Sequence, residues 1–296
     1  MRPWVTRWVE SCTPWRWKPG RRTSDMIQDA AFSRLGFGVT GPHAGLGLSR
    51  SRTEALIREA VGQGVTLFDT GPAYGNGEAE KRLGQALKTL PRDRVFITTK
   101  AGIHAGRKRD FSPGAVEMSF KASIERMGCG HIDLLLLHGP SPEELDPRLI
   151  RRLTAFRERG LLRHIGVCGR GAELDTAIDL GVFDAIMAPV NDGLDDASRA
   201  RLARARQAGL SVIGIEVMAG ASSTANLPLS RGDLWYAARR LKQALTGTPP
   251  AESALNALDA LKWAFDSGLA DALVCLTTRS RNLAANARIA GLAEHT

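Results

Sequence analysis

From residue 33 onward, short apolar, β-prone runs alternate with helical patterns, and no other feature constrains the fold as strongly. The strand-like runs lie near 34–39, 65–69, 94–99, 132–137, 163–167, 183–188, 210–215 and 272–276. Helical patterns fall at about 52–63, 78–89, 114–127, 146–159, 172–180, 195–208, 251–267 and 280–290. Ser112-Pro113 and Asp146-Pro147 read as helix starts with Pro at the first helical position. Gly160, Gly181 and Gly209 read as helix ends just before a strand. Strands alternating with helices imply parallel pairing and right-handed crossovers. A doubly wound open sheet would carry a glycine-rich phosphate loop after its first strand. Gly41-Pro42-His43-Ala44-Gly45 is not that fingerprint. The expected fold is α/β, a single-domain (β/α)8 TIM barrel over residues 31–296, preceded by a disordered extension over residues 1–30.

That extension holds Trp4, Trp8, Trp15 and Trp17, four of the six tryptophans, among arginines and prolines. It lacks the continuous apolar stretch of a signal peptide. A Trp/Arg-rich tail could touch a membrane surface or a partner. The plainer expectation is an extension without a fold, or a start annotated upstream of Met26.

The formal charge is +9, of which residues 1–25 carry +4. The rest is spread over helix faces without a long basic run, which argues against nucleic acid. No apolar run reaches the ~18 residues of a membrane span. Cys12, Cys129, Cys168 and Cys275 match no metal or redox spacing. Reduced thiols in a cytoplasm fit best. No histidine and carboxylate arrangement reads as a metal site. Residues 219–250 break the rhythm, with a long loop and a helix of its own at about 233–245 carrying Arg239, Arg240 and Lys242. Long loops on the active face shape or cover a pocket.

Asp69, Lys100 and His138 lie at or just past the C-terminal ends of apolar runs, and Tyr74 follows in the loop after the second. A barrel gathers those ends on one face, where active sites sit. A phenol can protonate a developing alkoxide, but its ordinary pKa of about 10 is high for neutral pH. A nearby ammonium favours the phenolate and lowers that value, and Asp69 could hold Lys100 charged and oriented. His138 could donate to the carbonyl oxygen. Singly, each residue has a plainer role: a turn cap for Asp69, a surface lysine for Lys100, a satisfied rim histidine for His138, a packing ring for Tyr74. Together they form an acid/base device. His43 and His104 also follow strands, and are read as loop histidines without a chemical role.

The segments Phe68-Asp69-Thr70, Ala73-Tyr74-Gly75-Asn76-Gly77-Glu78, Ile97-Thr98-Thr99-Lys100 and Ile132-Asp133-Leu134-Leu135-Leu136-Leu137-His138-Gly139-Pro140 resemble the aldo-keto reductase family. The likeness extends to Arg163-His164-Ile165-Gly166-Val167 and Leu283-Ala284-Ala285-Asn286. It implies NAD(P)H-dependent reduction of a small-molecule aldehyde or ketone. By that resemblance Tyr74 is the acid, Lys100 and Asp69 tune it, and His138 orients the substrate.

The resemblance also implies a cofactor site, and here the chain departs from the pattern. Cys168-Gly169 replaces the Ser-Asn pair that binds the carboxamide, Met187 replaces a glutamine, and Ile215 replaces a stacking tyrosine. Asn191 survives after strand six. Glu216 either enters the pocket or pairs with a basic neighbour, such as one on the 233–245 helix. The pyrophosphate is assigned near Gly220, within Ala219-Gly220-Ala221-Ser222-Ser223. Thr277 opens the loop after strand eight, where a helix N-terminus favours phosphate. Arg279 or Arg281 could pair with a 2′-phosphate, which favours NADPH, with NADH as the alternative. Asn286 lies where the resemblance puts adenine contacts, behind Ala285 in place of the usual glutamate. Two other functions stay open. One is a cofactor-independent isomerase or lyase on the same barrel. The other is a non-catalytic, cofactor-binding regulatory subunit. Oligomeric state is not legible.

Overall fold

The computed structural model of the protein describes residues 32–45, 47–219 and 255–292. Eight parallel strands close into a barrel in chain order. They are β1 (Leu35–Gly38), β2 (Leu67–Asp69), β3 (Phe96–Ala101), β4 (Ile132–His138), β5 (Leu162–Cys168), β6 (Ala185–Pro189), β7 (Ser211–Ile215) and β8 (Ala272–Cys275). The helices around them are α1 (Arg50–Gly62), α2 (Glu78–Leu87), α3 (Pro113–Met127), α4 (Pro147–Glu158), α5 (Ala172–Leu180), α6 (Asp196–Gln207), α7 (Ala257–Asp266) and α8 (Ser280–Ile289). The expected (β/α)8 architecture is thus the observed one. The tail 1–30, Gly220 and the helix expected at 233–245 lie outside the described residues.

The two-residue period of a strand splits each run between two cores. On β4, Leu134 and Leu136 face the barrel interior with Leu67, Phe96, Met187 and Ile213. Leu135 and Leu137 face outward against the helices. This is why β4 reads as an unbroken leucine run: both faces are buried. At the lower end Phe32 packs on Phe96, with centroids 5.0 Å apart, and His164 stacks on the same ring at 6.1 Å.

Helix starts follow the sequence with one difference. Asp146 accepts from the Arg148 N–H at 2.5 Å. Ser112 occupies the cap position of α3 but makes no cap bond through its side chain. Its N–H instead donates to Asp110 Oδ1 at 2.9 Å, so the turn before α3 is an Asp110 turn.

The strand starts carry buried charge that closes the barrel floor. Asp133 pairs with Arg92 and with Arg163 (2.8 Å) and accepts from the Ile97 N–H at 2.7 Å. Burial would raise its carboxyl, but Arg92, His131 and Arg163 hold it well below the carboxylate range. Asp184 is less well matched. Burial pushes it up to about 6, against the Arg157 charge and a 2.8 Å bond from the Ile165 N–H.

Candidate active site

The inward phase of the strands carries to their C-terminal ends and decides what lines the mouth. On β2, Asp69 follows inward Leu67 by two residues; on β3, Lys100 follows inward Phe96 by four. On β4, His138 follows Leu136 by two, and inward Cys168 ends β5. Register sets Lys100 beside Leu136 and His138 beside Cys168. Four of the residues singled out in the sequence thus occupy the topmost inward places of adjacent strands.

Lys100 is 2% exposed. Its ammonium donates to Asp69 Oδ1 at 2.6 Å, Asp69 Oδ2 at 2.7 Å and the Thr70 carbonyl at 2.9 Å. Burial alone would lower its pKa; the Asp69 charge, with Tyr74 and Cys168 beyond it, holds it above the ordinary lysine value. Burial also pushes the Asp69 carboxyl up, and Lys100 opposes that shift. The geometry is that of an ammonium and a carboxylate, because all three ammonium protons have acceptors.

Tyr74 reaches the same point from a loop. The Lys100 nitrogen lies 5.2 Å from its ring centroid, and the ring meets His138 edge-on with centroids 6.1 Å apart. Burial pushes the phenol above its ordinary value; Lys100 opposes this by charge and by hydrogen bond without reversing it. This differs from the net lowering expected from the Lys100 charge. The phenol is a protonated donor at neutral pH, and the ammonium beside it stabilises the phenolate left after transfer.

The loop can place Tyr74 there because Gly75 is a glycine. Gly75 has φ +59°, and a Cβ on it would lie 1.8 Å from the Ala44 carbonyl oxygen. Backbone packs directly on backbone there, and any side chain would push the loop away.

His138 is half-buried. Burial, aided by Lys100, Arg170 and Arg107, pushes its imidazole down to about 3, so it is neutral. A neutral imidazole keeps one N–H to donate. Its Nδ1 is buried without a partner.

The residues assigned to a cofactor fall into two groups. At the β5–β7 side, burial raises the Cys168 thiol to about 11, and Ile215 joins the interior apolar cluster. Asn191 donates to the Glu216 carbonyl at 3.3 Å and accepts from the Gly193 N–H at 3.1 Å, so its amide braces the β6 and β7 loops. Glu216 pairs with Arg170 on the loop after β5. Burial and then Lys100 act on the Cys168 thiol, and the charges of Arg170 and Glu216 also reach it.

At the β8 side, Arg279 occupies the position just before α8, and Arg52, Arg279, Ser280 and Arg281 line an open hollow of about 450 Å³. Arg52 donates to Ser280 Oγ at 3.0 Å. Thr277 is buried, and its carbonyl accepts from His43 Nε2 at 2.8 Å. Asn286 is buried on α8. His43 is fully enclosed, and burial lowers it to about 4. It is a loop clasp, as is His104, whose Nε2 lies 3.0 Å from the Asp110 carbonyl oxygen.

Arg52 and Arg170 were not singled out from the sequence. Arg52 lies on α1, and only β1–β8 pairing brings it to the β8 loop. Arg170 follows β5 by two residues, and its partner is 46 residues away.

The sequence model of the Aldo/keto reductase family matches residues 34–288. An NADH-specific methylglyoxal reductase of Escherichia coli (strain K12) is 32% identical over 181 residues, covering 54% of this chain and 56% of the relative. A D-threo-aldose 1-dehydrogenase of Pseudomonas sp is 31% identical over 182 residues, covering 52% and 54%. The chain thus spans about half the length of the curated relatives it matches. An aldo-keto reductase structure from Bacillus halodurans superposes with a TM-score of 0.68 at 20% identity, covering 90% of this chain and 89% of the other. The structure of a glycerol dehydrogenase from Gluconobacter oxydans gives 0.66 at 20% identity, covering 88% of each. These two likenesses speak to the fold.

Proposed function

The chain belongs to the aldo-keto reductase family, and on that premise we propose that it is an NAD(P)H-dependent carbonyl reductase converting an aldehyde or ketone to the alcohol. The observation that carries this is the meeting of a protonated phenol, a buried ammonium–carboxylate pair and a neutral imidazole at one barrel mouth. Tyr74 gives its proton to the carbonyl oxygen. Lys100, charged against Asp69, stabilises the phenolate that remains. His138 donates its N–H to the same oxygen and orients the carbonyl. The chemistry supplied by a bound NAD(P)H is hydride delivery to the carbonyl carbon.

The residues present fit such a cofactor unevenly. The hollow of Arg52, Arg279, Ser280 and Arg281 at the start of α8 suits a phosphate. This supports NADPH, with NADH the alternative; the Escherichia coli relative is named as NADH-specific. Thr277 and Asn286 stand beside that end. Cys168, Ile215 and Asn191 surround the place assigned to the nicotinamide, with apolar surface and with an amide engaged by backbone. Gly220 keeps its assignment to the pyrophosphate. Free, buried thiols at Cys129, Cys168 and Cys275 support a reducing, cytoplasmic setting.

Calorimetric titration with NADPH and NADH tests the cofactor, and NADPH oxidation across an aldehyde panel tests the reaction. Binding with turnover is the expected result; no binding of either nucleotide removes the reading. The apolar floor at Cys168 and Ile215 favours one rival, an isomerase or lyase using the same acid without nicotinamide. Substrate turnover in its absence would establish that rival.

A further inference from the structure

Three non-glycine residues of the described chain have left-handed backbone: Asn76 (φ 54°), Arg107 (φ 64°) and Glu216 (φ 56°). All stand on loops at the C-terminal ends of strands, after β2, β3 and β7. Such backbone costs a residue with a Cβ free energy that glycine avoids, and it concentrates at functional loops. Two of the side chains have evident tasks. Asn76 Oδ1 accepts from the Gly106 N–H at 2.8 Å and ties the Tyr74 loop to the β3 loop. Glu216 neutralises Arg170. Arg107 is exposed and makes no ion pair among the described residues, although Gly106 beside it is pinned to Asn76.

The charges acting on His138 are those of Lys100, Arg170 and Arg107, all cations. Asp69 neutralises the first and Glu216 the second. Of the three cations that act on His138, Arg107 is the one with no ion pair among the described residues, and its loop is tied to the Tyr74 loop through Gly106 and Asn76. It stands on the β3 loop, three strands around the barrel from the β8 hollow proposed for the cofactor phosphate.

We propose that the mouth selects carbonyl compounds bearing a carboxylate or phosphate, with Arg107 pairing that anion while the carbonyl lies against Tyr74 and His138. This rests on the carbonyl-reduction reading above. The guanidinium fork matches both oxyanions. A locally positive mouth concentrates anions and turns cations away. Arg170 is already held by Glu216, so Arg107 carries the selection.

The test uses the full chain, Arg107→Gln and Arg107→Lys. NADPH-dependent kcat/KM is measured for 4-oxobutanoate against butanal, and for glyceraldehyde 3-phosphate against glyceraldehyde. Succinate and inorganic phosphate are titrated calorimetrically without cofactor. The wild type is expected to favour the charged member of at least one pair by about tenfold or more, and the favoured pair separates carboxylate from phosphate. Arg107→Gln removes the preference through KM, and Arg107→Lys keeps part of it. A wild type indifferent to charge, or an Arg107→Gln that keeps the preference, overturns the proposal and leaves carbonyl reduction standing. If no carbonyl is turned over, the reductase reading fails and the titrations decide alone. Anion binding lost in Arg107→Gln upholds the site; equal or absent binding in both proteins removes it.

Discussion

Both carboxylate oxygens of Asp69 accept from the Lys100 ammonium, at 2.6 and 2.7 Å, at a depth that leaves Lys100 2% exposed. Neither charge has water to fall back on. Lys100→Met is therefore expected to destabilise the fold by about 3–5 kcal/mol, because it strands a buried carboxylate. Adding Asp69→Asn should recover part of that loss. Urea denaturation of the two single variants and the double variant measures the coupling; additive losses would show that the pair is not a unit.

The glycines of the mouth give a contrast within one loop system. Gly75→Ala puts a methyl 1.8 Å from the Ala44 carbonyl oxygen, in left-handed backbone. It should displace Tyr74 and lower both stability and kcat. At Gly45 a Cβ meets nothing within 4 Å, so Gly45→Ala should change stability by no more than about 0.5 kcal/mol. Melting curves and kcat of the two variants check this; equal effects would contradict the backbone contact.

Acid should destabilise the fold from about pH 6.5 downward. His43, His138 and His164 are lowered to about 4, 3 and 3, chiefly by burial. Below the ordinary histidine value the unfolded chain binds protons that the fold refuses. Each histidine then removes up to about 1.4 kcal/mol per pH unit. Asp184, raised to about 6, runs the other way: the fold holds its proton more tightly, so its contribution falls as pH rises between about 4 and 6. His131, also lowered by burial, adds to the histidine side and Asp69, raised by burial, to the Asp184 side; the histidines outweigh the two carboxyls and leave a net loss on acidification. Urea midpoints at pH 7.5, 6 and 5 read the slope, and His164→Leu should flatten it; a flat profile in the wild type would contradict the burial of these rings.

The cofactor's phosphate end is testable apart from chemistry. Arg52→Gln and Arg281→Gln should each weaken NADPH about tenfold, with NADH little changed. Calorimetric Kd values for both nucleotides decide it. Equal losses for the two would move the 2′-phosphate away from that hollow.

Much of this architecture can be read from residue patterns. The strand phase in Leu134, Leu136 and His138 says which side chains enter the barrel before any coordinate is known. The same phase brings Asp69 and Lys100 to the mouth. What the sequence hides are contacts made by closure. Arg52 meets Ser280 across 228 residues because β1 pairs with β8. Arg170 meets Glu216 because two loops lean over β6. Burial is equally hidden: the Lys100 charge suggests a lowered phenol, and only the depth of Tyr74 shows that desolvation wins.

Tyr74→Phe probes the proposed acid most directly, because it removes one hydroxyl and keeps the ring against His138. Its kcat is measured on a carbonyl compound that the wild type reduces, alongside NADPH affinity. A fall of about 10²–10⁴ in kcat with cofactor binding preserved is predicted. Near-wild-type turnover with the cofactor bound would show that the proton comes from elsewhere.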